Sequence, residues 1–514
     1  MKITKILIAN RGEIALRIIR TCKEMGIKTV ALCPQKGDED NFLETKFADE
    51  FYYLGRGEIL GYLDQKKIIQ IAKKAKVDAI HPGYGFLAEN GDFADLCQIN
   101  GIKFIGPSGK VLRRVGNKIE ARRIAKIVGC PLLPASDKPL KDEKECFKAA
   151  KRIKPPFLLK AANGGGGIGI KIIDRIDKNE ISQSFQKLKR EVNHAFGSDE
   201  IFIEKFLSNP RHIEFQILGD GRGDVVHFGE RECSVQRRHQ KIIEEAPSPF
   251  LNKSLRKKMG KLAVKIGEYL KYEGLGTVEF LIDAKSKNFY FIEINPRLQV
   301  EHPVTELTCN VDLVAEQIKV AQDQKLDFSQ RKIKFRGWAM EFRINAEDSL
   351  NDFLPASGIV NYYLPPSGRG VEVHSFLHQG QVIFPHFDSL LAKLVVFGET
   401  RDRVITRSKR ALDEFFIEGV PTLIPFHRAV LENKNFIKGE LSTAFIKKEK
   451  IFDTLYKKRE ELDLDSIKKE KVSIDKMNKK DIAFCIARIY FQMKQERTAH
   501  PTSKKWRSII WQDL

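Results

Sequence analysis

The chain has 514 residues, 42% hydrophobic and 31% charged, a length for several domains of about 100–200 residues each and the balance of an ordinary globular protein. Its 89 lysines and arginines against 68 acids give a formal charge of +21 spread over the whole chain, which suits small anions or an acidic protein at least as well as nucleic acid. Eight scattered cysteines without a CxxC pair argue against a zinc module or a disulfide framework. No apolar run reaches the roughly 18–20 residues of a membrane helix, and the earliest strand leaves no room for a signal peptide, so a cytoplasmic location is expected.

Lys5–Ala9 reads as a strand and Glu13–Met25 as an amphipathic helix, since Ile14, Ile18, Ile19, Cys22 and Met25 recur near helical spacing. Gly26 is placed to end that helix, and Lys28–Cys33 is the next strand. This βαβ opening lacks GxGxxG, so the loop Asn10–Glu13 is no evidence for a dinucleotide. A helix near Lys66–Ala75 and a strand Val77–His81 lead into HPGYGFLAEN, His81–Asn90. Gly83 and Gly85 allow a tight loop where α/β sheets place ligand contacts, although ordinary packing explains His81 and Tyr84 equally well. A helix Asp92–Asn100 and a strand Lys103–Gly106 complete a doubly wound domain, residues 1–115.

Gly116–Asn117–Lys118 enters a helix through Ile127, and a lone lysine there is ordinarily a solvated group. The strand Phe157–Ala161 runs into Asn163–Gly164–Gly165–Gly166–Gly167–Ile168–Gly169, followed by the strand Ile170–Ile173. Four glycines between short apolar strands read better as a mobile hairpin closing its N–H groups over phosphates than as a linker, with Lys160 as a point charge. No Gly-Lys-Ser/Thr follows, so it is not a P-loop. Ile201–Leu207 reads as a strand running into a polar turn. Glu230–Glu245 has the charge density of a solvated helix face, yet it lies between the strand Asp224–Phe228 and Pro247. Cys233 within it reads as a packed residue rather than a nucleophile.

Gly276–Glu306 reads as two strands joined by the loop Ala284–Asn288. Period-2 alternation puts Thr277, Glu279 and Leu281 on one face and Val278, Phe280 and Ile282 on the other. On the second strand Phe289, Phe291, Glu293 and Asn295 share a face, with Arg297, Gln299 and Glu301 continuing the alternation. A carboxylate in strands that otherwise read as buried must be compensated. One glutamate alone is best read as paired with a lysine. Three oxygen-bearing side chains in phase suit a hard cation held with phosphates, commonly Mg2+. Further on, Arg343 alternates with Glu341 and Asn345 in RGWAMEFRINAED.

Phe291–Glu306, FIEINPRLQVEHPVTE, resembles the metal and catalytic segment of biotin carboxylases, members of the ATP-grasp superfamily. IANRGEIALR (Ile8–Arg17) and QRRHQK (Gln236–Lys241) are similar to the same family, and the resemblance covers roughly residues 3–447. It implies an α/β (α+β) architecture: the N-terminal doubly wound domain, an ATP-grasp domain over 116–330, a mixed α/β domain over 331–447, and a charged extension, 448–514. It implies that Glu279, Glu293 and Asn295 hold Mg2+ or Mn2+, and that Lys118, Lys160, Gly166, Gly167, Glu204, Lys205, Phe206, Leu207, His212, Gln236, His239 and Leu281 bind ATP. Tyr84, Glu89, Lys241, Arg297, Gln299, Val300, Glu301 and Arg343 would surround bicarbonate and biotin. Of these, Lys241 and Arg297 bind bicarbonate, Glu301 is the general base, and Arg343 faces the biotin ureido group. The sequence departs from the family at Asn163, commonly glycine, and at Ile168, commonly arginine. It also departs at His386–Lys393 (HFDSLLAK), where tyrosine, aspartate and a glycine before the lysine are more frequent.

The resemblance implies a subunit that uses ATP and bicarbonate to carboxylate biotin on a carrier protein, passing the carboxyl group to a carboxyltransferase acting on acetyl-CoA, propionyl-CoA or pyruvate. A homodimer is expected. Lys258–Met259 and Lys476–Met477 lack an Ala-Met-Lys-Met context, so biotin is expected on a separate chain. Beyond Lys450 the mixed-charge run reads as solvated linker, then a helix candidate Ile482–Met493 and a tail with Trp506 and Trp511. Another ATP-grasp ligase is the first alternative, opposed by the pairing of QRRHQK with RLQVEHPVTE. A basic nucleic-acid-binding protein is the second, with no aromatic, zinc-finger or helix-turn-helix signal behind it.

Overall fold

In the doubly wound domain, alternate residues of one short strand feed two cores. Ile6 and Ile8 pack with Ile14, Ile18 and Ile19 of α1 (Gly12–Glu24), whereas Leu7 packs with Ile68, Ile71 and Phe93 on the opposite face. Helices on both faces explain why the strands are apolar throughout. The structure, a computed structural model, describes residues 2–55, 59–162, 169–196 and 199–455. The chain divides into a unit of residues 1–452 and a C-terminal unit, 453–514, of which 453–455 are described. Gly166 and Gly167, with the rest of 163–168, lie outside the described residues, as do Lys476–Met477, the Ile482–Met493 helix candidate and both tail tryptophans.

Five parallel strands, β1 (Lys5–Ile8), β2 (Lys28–Cys33), β3 (Glu50–Tyr53), β4 (Ala79–His81) and β5 (Lys103–Phe104), form the first sheet in the order β3-β2-β1-β4-β5. α1 ends where expected: Gly26 takes φ 70° and the Ile27 N–H reaches the Cys22 carbonyl at 2.8 Å, a left-handed helix stop that glycine adopts without steric cost. The strand order reverses between β1 and β4, so the loops after them open side by side, the usual ligand position in such sheets. Asn10 binds them together, its Nδ2 donating to the carbonyls of Pro82 (2.8 Å) and Tyr84 (2.7 Å).

A three-stranded antiparallel sheet follows, with β6 (Phe157–Ala161) between β7 (Ile170–Ile173) and β8 (Ile201–Lys205). The largest sheet has eight strands. In spatial order they are β13 (Phe289–Asn295), β12 (Glu273–Ile282), β9 (Arg211–Asp220), β10 (Val225–Arg237), β11 (Gln240–Ala246), β14 (Trp338–Asn345), Leu390–Gly398 and Val371–Ser375. It runs unbroken across the boundary expected near residue 330, because β11 pairs with β14 from Ile243–Phe342 to Ala246–Ala339. The charge-rich stretch Glu230–Glu245 is therefore a hairpin of β10 and β11 rather than a helix face. Arg238 and His239 form its two-residue turn, with φ 50° and 66°, the positive values that a two-residue hairpin turn requires.

One face of this sheet is apolar. Ile213, Phe215 and Ile217 of β9 join Val278, Phe280 and Ile282 of β12 in a core with Met259, Ala263 and Ile266 of the helix Lys253–Leu270. Each such side chain contributes roughly 1.5–3 kcal/mol on burial. The other face carries His212, Glu214, Gln216, Thr277 and Glu279.

The expected phase of β13 is corrected here. Glu279 pairs with Glu293 but Phe280 pairs with Phe291, leaving Ile292 as an extra residue in a bulge. Phe289 and Phe291 thus lie in the core with Ile294, not on the face of Glu293 and Asn295. Burying two phenylalanines while keeping two polar groups out needs that one-residue slip. Arg297, Gln299 and Glu301 do not continue a strand either: residues 296–301 form a turn into the helix His302–Cys309. Among the described residues no helix is long and apolar enough to cross a membrane.

Candidate active site

The polar face of the large sheet gathers charges from five elements around Lys241. Its Nζ donates to Glu279 Oε1 and Glu301 Oε1, both at 2.8 Å, and also pairs with Glu214. Lys241 is raised well above the ordinary lysine value: burial opposes the charge, but the three carboxylates outweigh it. Glu301 is wholly buried. Burial alone would raise its carboxyl, yet Lys241 and Arg343 hold it well below the usual carboxylate range. Arg343 Nη2 reaches Glu301 Oε2 at 2.9 Å, and its Nε donates to Glu244 Oε1 at 2.7 Å. Glu244 is pushed by burial up to about 7, against the pull of Arg343.

Arg231 anchors this cluster from within. It is fully buried and donates to Glu214 (2.6 Å), Gln216 (2.7 Å), Thr305 (3.0 Å) and Thr277 (3.1 Å), so each guanidinium nitrogen has a protein partner. Cys233 lies beside Glu214 and Glu301 with its thiol raised by burial and by those acids. It stays protonated, in keeping with a packed residue.

The turn 297–301 closes one side. Arg297 Nε donates to Glu89 Oε1 at 2.6 Å, and its Nη1 to Gln299 Oε1 at 3.1 Å. Gln299 is 4% exposed and its Nε2 has no hydrogen-bond partner among the described residues. A buried, unmatched donor is costly, and an anion against Arg297 and Gln299 would satisfy it. Tyr84 donates its hydroxyl to Glu13, beside the same turn.

Next to the cluster stands the expected metal set. Glu279 accepts from Asn295 Nδ2 at 2.7 Å and lies 2.9 Å from His212 Nε2. Although burial opposes it, Lys241 and His212 hold Glu279 below the usual carboxylate range. Conversely, Glu279 raises His212 against the effect of burial. Glu293 is the cross-strand partner of Glu279. Two carboxylates and an amide that can turn its oxygen outward are an oxygen donor set, and they fit a hard divalent cation. His212 and Glu214 close the cage around Glu279.

Beyond the metal set lie two lysines. Asn117 caps the helix Lys118–Ile127, accepting from the N–H groups of Ile119 and Glu120, which fixes Lys118 in its first turn. Lys118 is half-buried and its ammonium lowered, first by desolvation and then by Lys160, with Glu293 as the chief opposing charge. Lys160 Nζ is held by Glu204 Oε2 at 2.9 Å, and Glu204 also pairs with Arg122. The Lys205 ammonium turns to the carbonyls of Lys154 (3.1 Å) and Pro155 (3.0 Å). Phe206 and Leu207 follow the end of β8, and Leu281 lies on the polar face of β12, paired with His212. Gln236 Nε2 sits 3.3 Å from His212 Nδ1, and the hairpin tip brings His239 within the field of Lys160 and His212.

Three family models match consecutive stretches of the chain: the biotin carboxylase N-terminal domain over residues 2–112, the ATP-binding domain of the carbamoyl-phosphate synthase L chain over 117–329, and the biotin carboxylase C-terminal domain over 341–448. The middle one alone would leave a carbamoyl-phosphate type of ligase open; its two flanks decide the matter. The chain belongs to the biotin carboxylase family. A pyruvate carboxylase subunit of Methanothermobacter thermautotrophicus is 47% identical over 86% of this chain and 89% of that protein. Biotin carboxylase 1 of Bacillus subtilis is 45% identical over 86% and 98%. The biotin carboxylase domain dimer of Hydrogenobacter thermophilus 2-oxoglutarate carboxylase, solved with MgADP and bicarbonate, superposes with a TM-score of 0.85 at 43% identity, covering 88% of this chain and 99% of that one. This biotin carboxylase is accordingly an ATP-dependent ligase of the ATP-grasp class.

Several groups of the site escaped the sequence reading. Glu214 and Gln216 alternate with His212 along β9, a period-2 signal as plain as that of β12. Arg231 and Glu244 were hidden in a run whose charge density suggested solvent. Lys393 and Glu13 are brought in only by the tertiary fold.

Proposed function

We propose that this biotin carboxylase cleaves ATP in the presence of bicarbonate to form carboxyphosphate, and then carboxylates biotin borne by a separate carrier protein. The observation that carries the reading is the turn 297–301, where an unmatched buried amide, an arginine and an ionised carboxylate converge beside Lys241 and Arg343. Bicarbonate would lie against Arg297, Lys241 and the Gln299 amide, with its proton toward Glu301. A carboxylate held so low is a weak base by itself. An incoming anion competes for Lys241 and Arg343 and so raises its proton affinity. Arg343 then stabilises negative charge developing on the biotin ureido oxygen, with Tyr84 and Glu89 lining that side.

On the nucleotide side, Lys118, Lys160 and His239 offset phosphate charge. The chain near Glu204–Leu207, with His212, Gln236 and Leu281, lines the base and ribose; the expected phosphate contacts of Gly166 and Gly167 fall outside the described residues. Glu279, Glu293 and Asn295 would hold Mg2+ or Mn2+, which when bound neutralises phosphate oxygens. Exclusion of water matters at this site because carboxyphosphate hydrolyses in open water.

The domain limits proposed are 1–115, 116–330 and 331–447, with the extension 448–514. A carrier in trans is supported by Lys258–Met259 lying on the helix Lys253–Leu270 rather than in a β-turn. Among named relatives are subunits of pyruvate and 2-oxoglutarate carboxylases, which supports a partner carboxyltransferase acting on a keto acid. A homodimer fits the related dimer structure. The seven described cysteines are all free thiols, which suits a reducing compartment such as the cytoplasm. The test is ADP formation by the purified chain: it should require bicarbonate and rise with free biotin. Cleavage indifferent to bicarbonate would overturn the reading.

A further inference from the structure

One buried side chain outside the expected set reaches the turn that carries Arg297, Gln299 and Glu301. Lys393, on the strand Leu390–Gly398, has no exposed surface. Its Nζ donates to the Val300 carbonyl at 2.9 Å and lies 3.1 Å from Glu13 Oε1. Glu13 stands in the first turn of α1, and the same carboxylate oxygen accepts the Tyr84 hydroxyl. Contacts therefore run unbroken from the loop after β4 through α1 and the large sheet to the turn. Lys393 pairs across the sheet with Arg343 on one side and His374 on the other. Paired residues of an antiparallel ladder share a face, so all three point to the side on which the turn sits.

A buried ammonium is kept only where a counter-charge and good hydrogen bonds offset its desolvation. Glu13 is that counter-charge. Glu341 also faces Lys393, but neither of its oxygens has a hydrogen-bond partner among the described residues, and burial drives its carboxyl toward the neutral form. What Lys393 holds is the carbonyl of Val300, the residue between Gln299 and Glu301, in a segment that neither strand nor helix fixes.

We propose that Lys393, anchored by Glu13, is a positioning residue for the bicarbonate side of the site. By holding the Val300 carbonyl it keeps the Gln299 amide and the Glu301 carboxylate at their working separation, and a shift of that one peptide would move both. The proposal rests on the reading of the chain as a bicarbonate-dependent biotin carboxylase.

The test is the double variant Lys393→Met/Glu13→Gln, which removes both buried charges together and leaves an acceptor for Tyr84, so that no charge is stranded. A misplaced turn should lower kcat/KM for bicarbonate about 10- to 100-fold, while KM for ATP stays within about twofold. Hydrogen exchange of amides 297–309 should quicken, with exchange in the helix Lys253–Leu270 unchanged. Glu13→Gln alone, which only loosens the anchor, should show the same split at about threefold. A double variant whose ATP and bicarbonate constants deteriorate together, or whose turn exchanges as slowly as in the parent, would overturn the proposal. The exchange measurement needs no turnover, so failure of the parent to cleave ATP with bicarbonate would sink the enzymatic reading without deciding this one.

Discussion

The two ends of the site meet the cost of buried charge in opposite ways. Around Lys241, opposite charges are already matched: Glu214, Glu279 and Glu301 share its ammonium, and Arg343 takes Glu301 and Glu244. At Lys118 the ammonium is half-buried with no ion-pair partner among the described residues, and desolvation lowers its proton affinity. The paired end is preorganised, so a small anion enters by exchanging places with carboxylates already present. The Lys118 end is short of negative charge, and a polyphosphate would supply it. A polar cage fixed before substrate arrives costs little reorganisation during reaction, whereas an under-compensated cation favours binding of the nucleotide itself.

The sharpest way to break this contrast is within the paired end. Glu301→Gln removes the proposed proton acceptor and should abolish bicarbonate-dependent ATP cleavage, a loss of about 10²–10⁴-fold for a general base. Arg343→Ser should damage carboxyl transfer to biotin more than ATP cleavage, because Glu301 keeps Lys241. The two variants are compared in both assays, ADP release with bicarbonate and carboxylation of free biotin. Equal profiles would mean that the cluster acts as one unit and that the proposed division of roles is wrong.

A smaller effect is expected at the border between the two ends. Glu293→Gln keeps the volume but removes the chief counter-charge of Lys118 and one carboxylate of the oxygen set. Turnover should fall by roughly one to three orders of magnitude, and titration with Mg2+ should move to higher concentration. Near-parental turnover at saturating Mg2+ would show that Glu293 serves neither end.

How much of this contrast could be read beforehand depends on the kind of signal. Strand alternation placed Glu279 correctly, since Val278, Phe280 and Ile282 fix the core face. It misplaced Phe289 and Phe291 because a bulge leaves no mark in a string of apolar residues; only the pairing with Phe280 reveals the slip at Ile292. The doubly wound domain was legible because helical and strand periods alternate cleanly there. The hairpin β10–β11 was obscured because Arg231, Glu232, Glu244 and Glu245 are buried ions, which composition equates with surface. The segment 297–301 reads like more strand, yet its work depends on leaving the strand, so that Glu301 comes back over Lys241. Lys393 and Glu13 both lie in stretches that carry the family resemblance, but nothing in the sequence pairs two residues 393 − 13 = 380 positions apart.

The smallest expected effect tests a wholly buried acid near the paired cluster that has no side-chain hydrogen bond among the described residues. Glu341 is wholly buried, directly across from Glu244, and burial raises its carboxyl well above the usual range despite Lys393. Below the unfolded value, about 4.3, both folded and unfolded chains carry the proton, so the titration of Glu341 adds nothing and only the pH-independent cost of an unpaired buried polar group remains. As pH rises the unfolded chain releases its proton first, so the folded state binds more protons and loses stability relative to it. Glu341→Met removes that dependence and fills the same space. The advantage of the variant over the parent should grow by about 1–3 kcal/mol between pH 4.5 and pH 8, read from denaturant unfolding at the two pH values. An advantage that shrinks with rising pH would mean that Glu341 is ionised in the fold, and the matched pairing around Lys241 would then extend one residue further, to Glu341 itself.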